Sequence, residues 1–73
     1  MSAYELTARE MEILGMIVDG LTYTQIADRI FISPSTVRKH IENIYAKLHV
    51  NSKAQAIQLS YKNNWFGTPG AQA

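Results

Sequence analysis

Between Ser33 and Lys47 the chain sets out Ser33, Ser35, Thr36, Arg38, Lys39, His40, Glu42, Asn43 and Lys47. No nucleophile and base pair up among them, because His40 and Glu42 stand two apart, a spacing that does not face on a helix. The chemistry these side chains offer is recognition. A guanidinium presents a planar fork that fits guanine O6 and N7, and an ammonium is a mobile point charge suited to phosphate. A carboxylate repels phosphate but accepts from a cytosine amino group. Hydroxyls and an amide can serve either phosphate oxygens or base edges.

These groups need a helix to hold them on one side. Ser33 is a good N-cap and Pro34 suits the first helical position, where a missing N–H costs nothing. Val37, Ile41, Ile44 and Leu48 then recur at steps of four, three and four and form one apolar face. Ser35, Arg38, Lys39, Glu42, Asn43, Ala46 and Lys47 occupy the other. A shorter helix precedes it, with Thr22 and Gln25 as a capping box and Ile26, Ala27 and Ile30 as its stripe. A short helix, a tight corner near Phe31–Ser33 and a longer helix with this outer face point to helix-turn-helix DNA binding. The bland alternative is a solvated helix in a small bundle.

Two further helices flank this pair. Thr7 and Glu10 form a capping box for a first helix running to about Asp19, with Met11, Leu14, Ile17 and Val18 as its expected buried stripe and Gly20 as its stop. Ser52 and Gln55 form a third box, opening a last helix to about Asn63. That helix carries two stripes: Ala54, Ile57 and Tyr61 on one side, Ala56, Leu59 and Ser60 nearly opposite. One must face the core; the other is either a chance pattern, with Leu59 a lone exposed apolar residue, or a partner surface. Asn63-Asn64 can end the helix in the left-handed region, with Trp65 folding back as a core plug. Residues 67–73 are small, polar and turn-forming and are expected to be a disordered tail, leaving 1–66 as the domain.

Composition narrows the field further. Seventy-three residues make one small domain with a modest core. With no cysteine there are no disulfides or zinc–cysteine sites, and two histidines make no convincing metal site. No cofactor is expected. No apolar run reaches membrane-span length and no signal-peptide pattern opens the chain, so a cytoplasmic protein is expected. Net charge is only +1, but it is unevenly spread. Up to Arg29 the acids Glu5, Glu10, Glu12, Asp19 and Asp28 outnumber Arg9 and Arg29. Beyond it Arg38, Lys39, Lys47, Lys53 and Lys62 face Glu42 alone, which suits one face turned toward phosphate.

Taken together, Leu6-Thr7-x-Arg9-Glu10-x-Glu12-Ile13-Leu14, Gly20, Ile26-Ala27, Ile30-x-Ile32-Ser33, Thr36-Val37-Arg38-x-His40, Asn43-Ile44 and Lys47-Leu48-x-Val50 resemble the LuxR-type (GerE-type) helix-turn-helix domain of bacterial transcription regulators. The resemblance runs from Leu6 to Phe66. It implies an all-α, four-helix bundle whose third helix, about Pro34–Leu48, is the recognition helix. It implies a non-enzymatic regulator, or the output domain of one, on double-stranded DNA, dimeric there through helix four, with RNA polymerase as a further partner. By the same resemblance Arg38, Lys39 and Glu42 are the expected base contacts, joined by Asn43, which can contact either a base or a phosphate. Thr22, Ser33, Ser35, Thr36 and Lys47 match positions that reach phosphate. His40 either joins them or locks two helices together, and Ala56, Leu59 and Ser60 form the expected dimer face. Tyr23 and Thr24 depart from the pattern, standing where many members have Asn and Lys, and Lys53 stands where arginine is usual.

Two other functions fit the composition. A sigma-factor promoter domain has a similar helix-turn-helix, but the stretch to Val50 and a whole fourth helix argue against it. A protein-binding adaptor would suit the low net charge.

Overall fold

The computed structural model describes residues 5–66; the expected tail at 67–73 and the first four residues of the chain lie outside the described residues. Those described form four helices and no strand: α1 (Ala8–Val18), α2 (Tyr23–Ile30), α3 (Pro34–Leu48) and α4 (Lys53–Lys62).

Each helix starts on the hydroxyl the sequence offers it. Thr7 Oγ1 accepts the Glu10 N–H at 3.1 Å while Glu10 Oε1 accepts the Thr7 N–H at 2.9 Å. Thr22 and Gln25 repeat the exchange at 3.3 and 2.8 Å. Ser33 Oγ accepts the Thr36 N–H at 3.2 Å. Ser52 accepts from Gln55 in the same way, but the reciprocal half of that box differs from expectation: Gln55 Oε1 takes the Asn51 N–H at 2.6 Å, one residue further back.

The four stops are one device repeated. Gly20, Phe31, His49 and Asn64 all have positive φ. The next N–H in each case returns to a carbonyl five residues upstream: Leu21 to Met16, Ile32 to Ala27, Val50 to Tyr45 and Trp65 to Ser60. This is the Schellman arrangement, which satisfies carbonyls that a helix end leaves without partners. The residue after each left-handed position is apolar, and Leu21, Ile32, Val50 and Trp65 all pack against the core.

α3 is the central member, packed on both α2 and α1, while α4 lies against α1. The core comprises Ile13, Leu14 and Ile17 of α1, Ile26 and Ala27 of α2, Val37, Ile41, Ile44 and Leu48 of α3, and Ala56 of α4. The expected α1 stripe is shifted: Ile13 is fully buried, whereas Met11 and Val18 are half-buried. Because α1 is covered by both α3 and α4, its buried arc is centred on Ile13, Leu14 and Ile17 and takes in Glu10.

Helix α4 requires a larger correction. Ala56 and Ser60, expected on a partner surface, are both 0% exposed. They are the core side of α4. Their small side chains let it lie close to α1, and the Ser60 hydroxyl donates to the Ala56 carbonyl at 2.9 Å, so its burial leaves no polar group unsatisfied. Beyond α4, Phe66 closes onto α1, where a Cβ at Gly15 would stand 3.2 Å from Phe66 Cε1.

Candidate nucleic-acid interface

The two sides of α3 have separate tasks. Val37, Ile41, Ile44 and Leu48 are held in the core, and that anchorage fixes the rotation of the helix. Ser35, Thr36, Arg38, Lys39, Glu42 and Asn43 consequently stand exposed together. Ser35, Thr36, Lys39, His40 and Asn43 line one shallow depression along this face. His40 is half-buried at its edge, between the exposed cation beside it and buried Ile41, a position compatible with both roles expected for it. Arg38 lies on the side nearer α2, where it shares a groove with Tyr23 and Thr24, and Glu42 stands one turn further along α3.

The hydroxyls at the start of α3 form a cluster. Ser33 Oγ lies 2.8 Å from Thr36 Oγ1 and 3.2 Å from Ser35 Oγ. Ser33 is thus occupied as cap and as a tie between its neighbours, and Ser35 and Thr36 present the outward hydroxyls. Thr22 is placed in the same way, capping α2 with its hydroxyl 3.2 Å from that of Thr24. No acidic residue lies in the first turn of α2 or α3. The partial positive charge of both helix starts is therefore not offset locally, which favours an anion in front of them.

The crevice between those two starts was not among the expected site features. Tyr23 and Thr24 from α2 and Pro34, Ser35 and Arg38 from α3 line a narrow groove with largely apolar walls. The Tyr23 ring reaches toward α3. Burial pushes the Tyr45 phenol up from its ordinary value, and the nearby Tyr23 phenol adds to that push. The signal available in the sequence was the departure at Tyr23 itself.

Lys47 is less free than its neighbours on α3. Its Nζ donates to Glu10 Oε1 at 2.7 Å, and the Glu10 side chain is 7% exposed against 37% for Lys47. Burial alone would raise the Glu10 carboxyl. The Lys47 hydrogen bond, the Thr7 backbone N–H and the Lys47 charge outweigh it and hold Glu10 below the usual carboxylate range. Glu10, which the sequence presents as a cap, is thus also the residue that steers Lys47. The ammonium retains two further N–H donors directed away from Glu10.

With Ala56 and Ser60 in the core, Leu59 is the member of the expected dimer face that stays in reach of a partner. It is half-buried and lines an open groove with Val50, Gln55, Gln58, Tyr61 and Lys62. Among the described residues no group of three or more His, Cys, Asp or Glu could hold a metal ion, and no helix is long and apolar enough to cross a membrane.

Comparison with known proteins bears on this surface. The family model described as bacterial regulatory proteins, luxR family, matches residues 4–60. The transcriptional regulatory protein DegU of Brevibacillus brevis is 42% identical over 60 residues, covering 82% of this chain and 25% of that protein. A nitrate/nitrite response regulator protein homolog of Haemophilus influenzae is 46% identical over 59 residues, covering 81% of this chain and 28% of that protein. The HTH-type transcriptional regulator MalT of Vibrio cholerae is 38% identical over 53 residues, 73% of this chain but 6% of that protein. The chain thus spans about a quarter or less of the length of these curated relatives.

Proposed function

Because this chain belongs to the luxR family of bacterial regulatory proteins, we propose that it binds double-stranded DNA sequence-specifically, as a transcription regulator or the output domain of one. α3 lies in the major groove. The observation that carries this reading is the division of α3 into a core-anchored face and an exposed face bearing Arg38, Lys39, Glu42 and Asn43. Arg38 or Lys39 reads a guanine, with the fork of Arg38 the better fit, and Glu42 accepts from a cytosine amino group. Asn43 adds a base or phosphate contact. Ser35, Thr36 and His40 hold the backbone, with Thr22, Ser33 and Lys47 at its margin. A recognition role of this kind calls for no catalysis. Its place is the cytoplasm, with RNA polymerase as a further partner.

Selection of bound duplexes from a random pool, followed by titration against every single-base variant of the selected site, tests this. Truncating the base reader should cost about 1–3 kcal/mol and relax preference at one position. Glu42→Ala removes a repulsive charge, so non-specific affinity should rise as discrimination falls. If Arg38→Ala, Lys39→Ala and Glu42→Ala all keep the wild-type base preferences, this face does not read DNA.

Two copies pair on DNA through the outer side of α4. The support is the open groove beside Leu59, flanked by exposed Gln55 and Gln58. The area one short helix offers is small beside the ~1,600 Å² of a stable interface, so pairing depends on DNA. The double variant Gln55→Glu/Gln58→Glu, which alters exposed positions alone, should lose far more affinity for a duplex with two half-sites than for one. Equal losses would refute the pairing.

A further inference from the structure

We propose that the crevice between the starts of α2 and α3 receives the C5-methyl group of a pyrimidine in the major groove, with Tyr23 as the specificity-determining side chain. This rests on the DNA-binding reading above and adds to it a second kind of readout.

The surroundings of the crevice are polar. The Thr22 and Thr24 hydroxyls stand on the α2 side and those of Ser33, Ser35 and Thr36 on the α3 side, with Arg38 also lining the crevice. Its lining, contributed by Tyr23, Thr24, Pro34, Ser35 and Arg38, is nonetheless largely apolar. Among the described residues the large hydrophobic side chains left exposed are Tyr23, at 43%, and Phe31. Neither the cap nor the buried core of α2 is built from the Tyr23 ring. Tyr23 occupies the first position of α2, the cap is supplied by Thr22, and the core of α2 is Ile26 and Ala27.

The occupant follows from the chemistry of the major groove. Guanine, adenine and cytosine edges present donors and acceptors there, and the apolar group is the C5-methyl of thymine. 5-Methylcytosine carries the same group at the same carbon. The N-terminal part of a recognition helix is what reaches base edges. Arg38 forms a wall of the crevice, so a guanidinium engaged with one base sets the crevice against a neighbouring pyrimidine. Deoxyribose is also apolar, but it is present at every nucleotide and would confer no sequence preference.

The test replaces each thymine of the selected site by deoxyuridine, which deletes the methyl group and nothing else. At one position per half-site the wild-type protein should bind the uridine duplex about fourfold more weakly, the worth of one buried methyl-sized group. With cytosine at that position, methylating its C5 should strengthen binding by a similar factor. Tyr23→Asn, a change at an exposed position, should bind thymine and uridine duplexes equally and lose the response to cytosine methylation. The proposal is overturned if no thymine in the site shows a uridine effect, if the site holds no thymine, or if Tyr23→Asn keeps the wild-type effect. Failure to bind any duplex would sink the DNA-binding reading and this one with it. Binding without a methyl-dependent position sinks this one alone.

Discussion

Lys47 Nζ and Glu10 Oε1 stand 2.7 Å apart across 37 residues of sequence, joining the last turn of α3 to the first turn of α1. The carboxylate also caps α1 through the Thr7 N–H. One buried acid therefore fixes both the start of the first helix and the far end of the proposed recognition helix.

Glu10→Gln keeps the capping acceptor and removes the charge. It should destabilise the domain at neutral pH by about 1–2 kcal/mol, a charge-assisted bond discounted for the exposure of Lys47. The folded-state pKa of Glu10 is depressed, so its contribution is present above the unfolded value near 4.5 and disappears as pH falls through the folded value. The gap between wild type and Glu10→Gln should accordingly close below about pH 4.5. Urea melts from pH 7 to pH 3 measure it, and a gap that stays constant would mean the charge contributes nothing.

If Lys47 meets phosphate as proposed, the same pair alters what it gives to DNA. A free lysine on a phosphate contributes about one unit to the slope of log affinity against log salt. Lys39 is exposed and in no ion pair among those of the described residues, which are Arg9–Glu12 and Lys47–Glu10. If Lys39 holds phosphate, Lys39→Ala should reduce the slope by about that one unit. Lys47→Ala should reduce it by less, because the charge of Lys47 is partly matched by Glu10, and it should also lower the melting temperature. Titrations across a range of salt separate the two. Equal slope changes with no loss of stability would show that Glu10 does not hold Lys47 in solution.

Burial of Ala56 reverses what a charge there does. Ala56→Glu would place an unpaired carboxylate against α1, a change costing several kcal/mol, and a domain this small has about 5 kcal/mol in all. We expect no cooperative thermal transition for Ala56→Glu and an unchanged one for Gln58→Glu, two positions along. A folded Ala56→Glu would mean that α4 is rotated from the orientation described.

Phe66 and Gly15 should be coupled. Gly15→Val thrusts a branched side chain at the Phe66 ring, which stands 3.2 Å from the Cβ position, and it should destabilise the wild type. In a Phe66→Ala background the ring is gone and the same substitution should cost at least about 0.5 kcal/mol less. A double-mutant cycle by chemical denaturation reads this directly, and strict additivity would place Phe66 elsewhere.

What was legible in the sequence was local. Thr7, Thr22, Ser33 and Ser52 announce their helices because a cap acts within three residues, and the four-helix, all-α fold follows from them and from the α3 spacing. Gly20 and Asn64 are readable as stops because their residue types tolerate positive φ. His49, where the helical pattern breaks, gives a weaker sign, and Phe31 adopts the same conformation with a side chain that gives none. The α4 faces were ambiguous for a related reason: periodicity gives the angle between two stripes but not which of them meets α1. The stripe of small residues, expected to face a partner, was the one that could approach closely. Lys47 was correctly placed on α3, but its partner lies on another helix, and no spacing rule connects residues 37 apart. The proposed base-reading positions Arg38, Lys39, Glu42 and Asn43 were legible as one exposed surface, since burial of Val37 and Ile41 sets them outward.

The repeated helix stop has a consequence for how far this domain can change. Three of its four left-handed positions hold side chains other than glycine, and Phe31 sits there at φ 61° and 92% exposed. A left-handed conformation costs an L-residue about 1–2 kcal/mol, part of which glycine returns as greater freedom in the unfolded chain. Phe31→Gly should thus stabilise the domain by about 0.5–1 kcal/mol and raise its melting temperature by several degrees; a lower melting temperature would show that the ring contributes packing. The position lies outside the exposed face of α3. Stability headroom of this kind is what substitutions on a recognition helix consume when they trade folding for a new target. Once Phe31→Gly has released that strain, the domain can accept costlier changes at Arg38, Lys39 or Glu42 and remain folded.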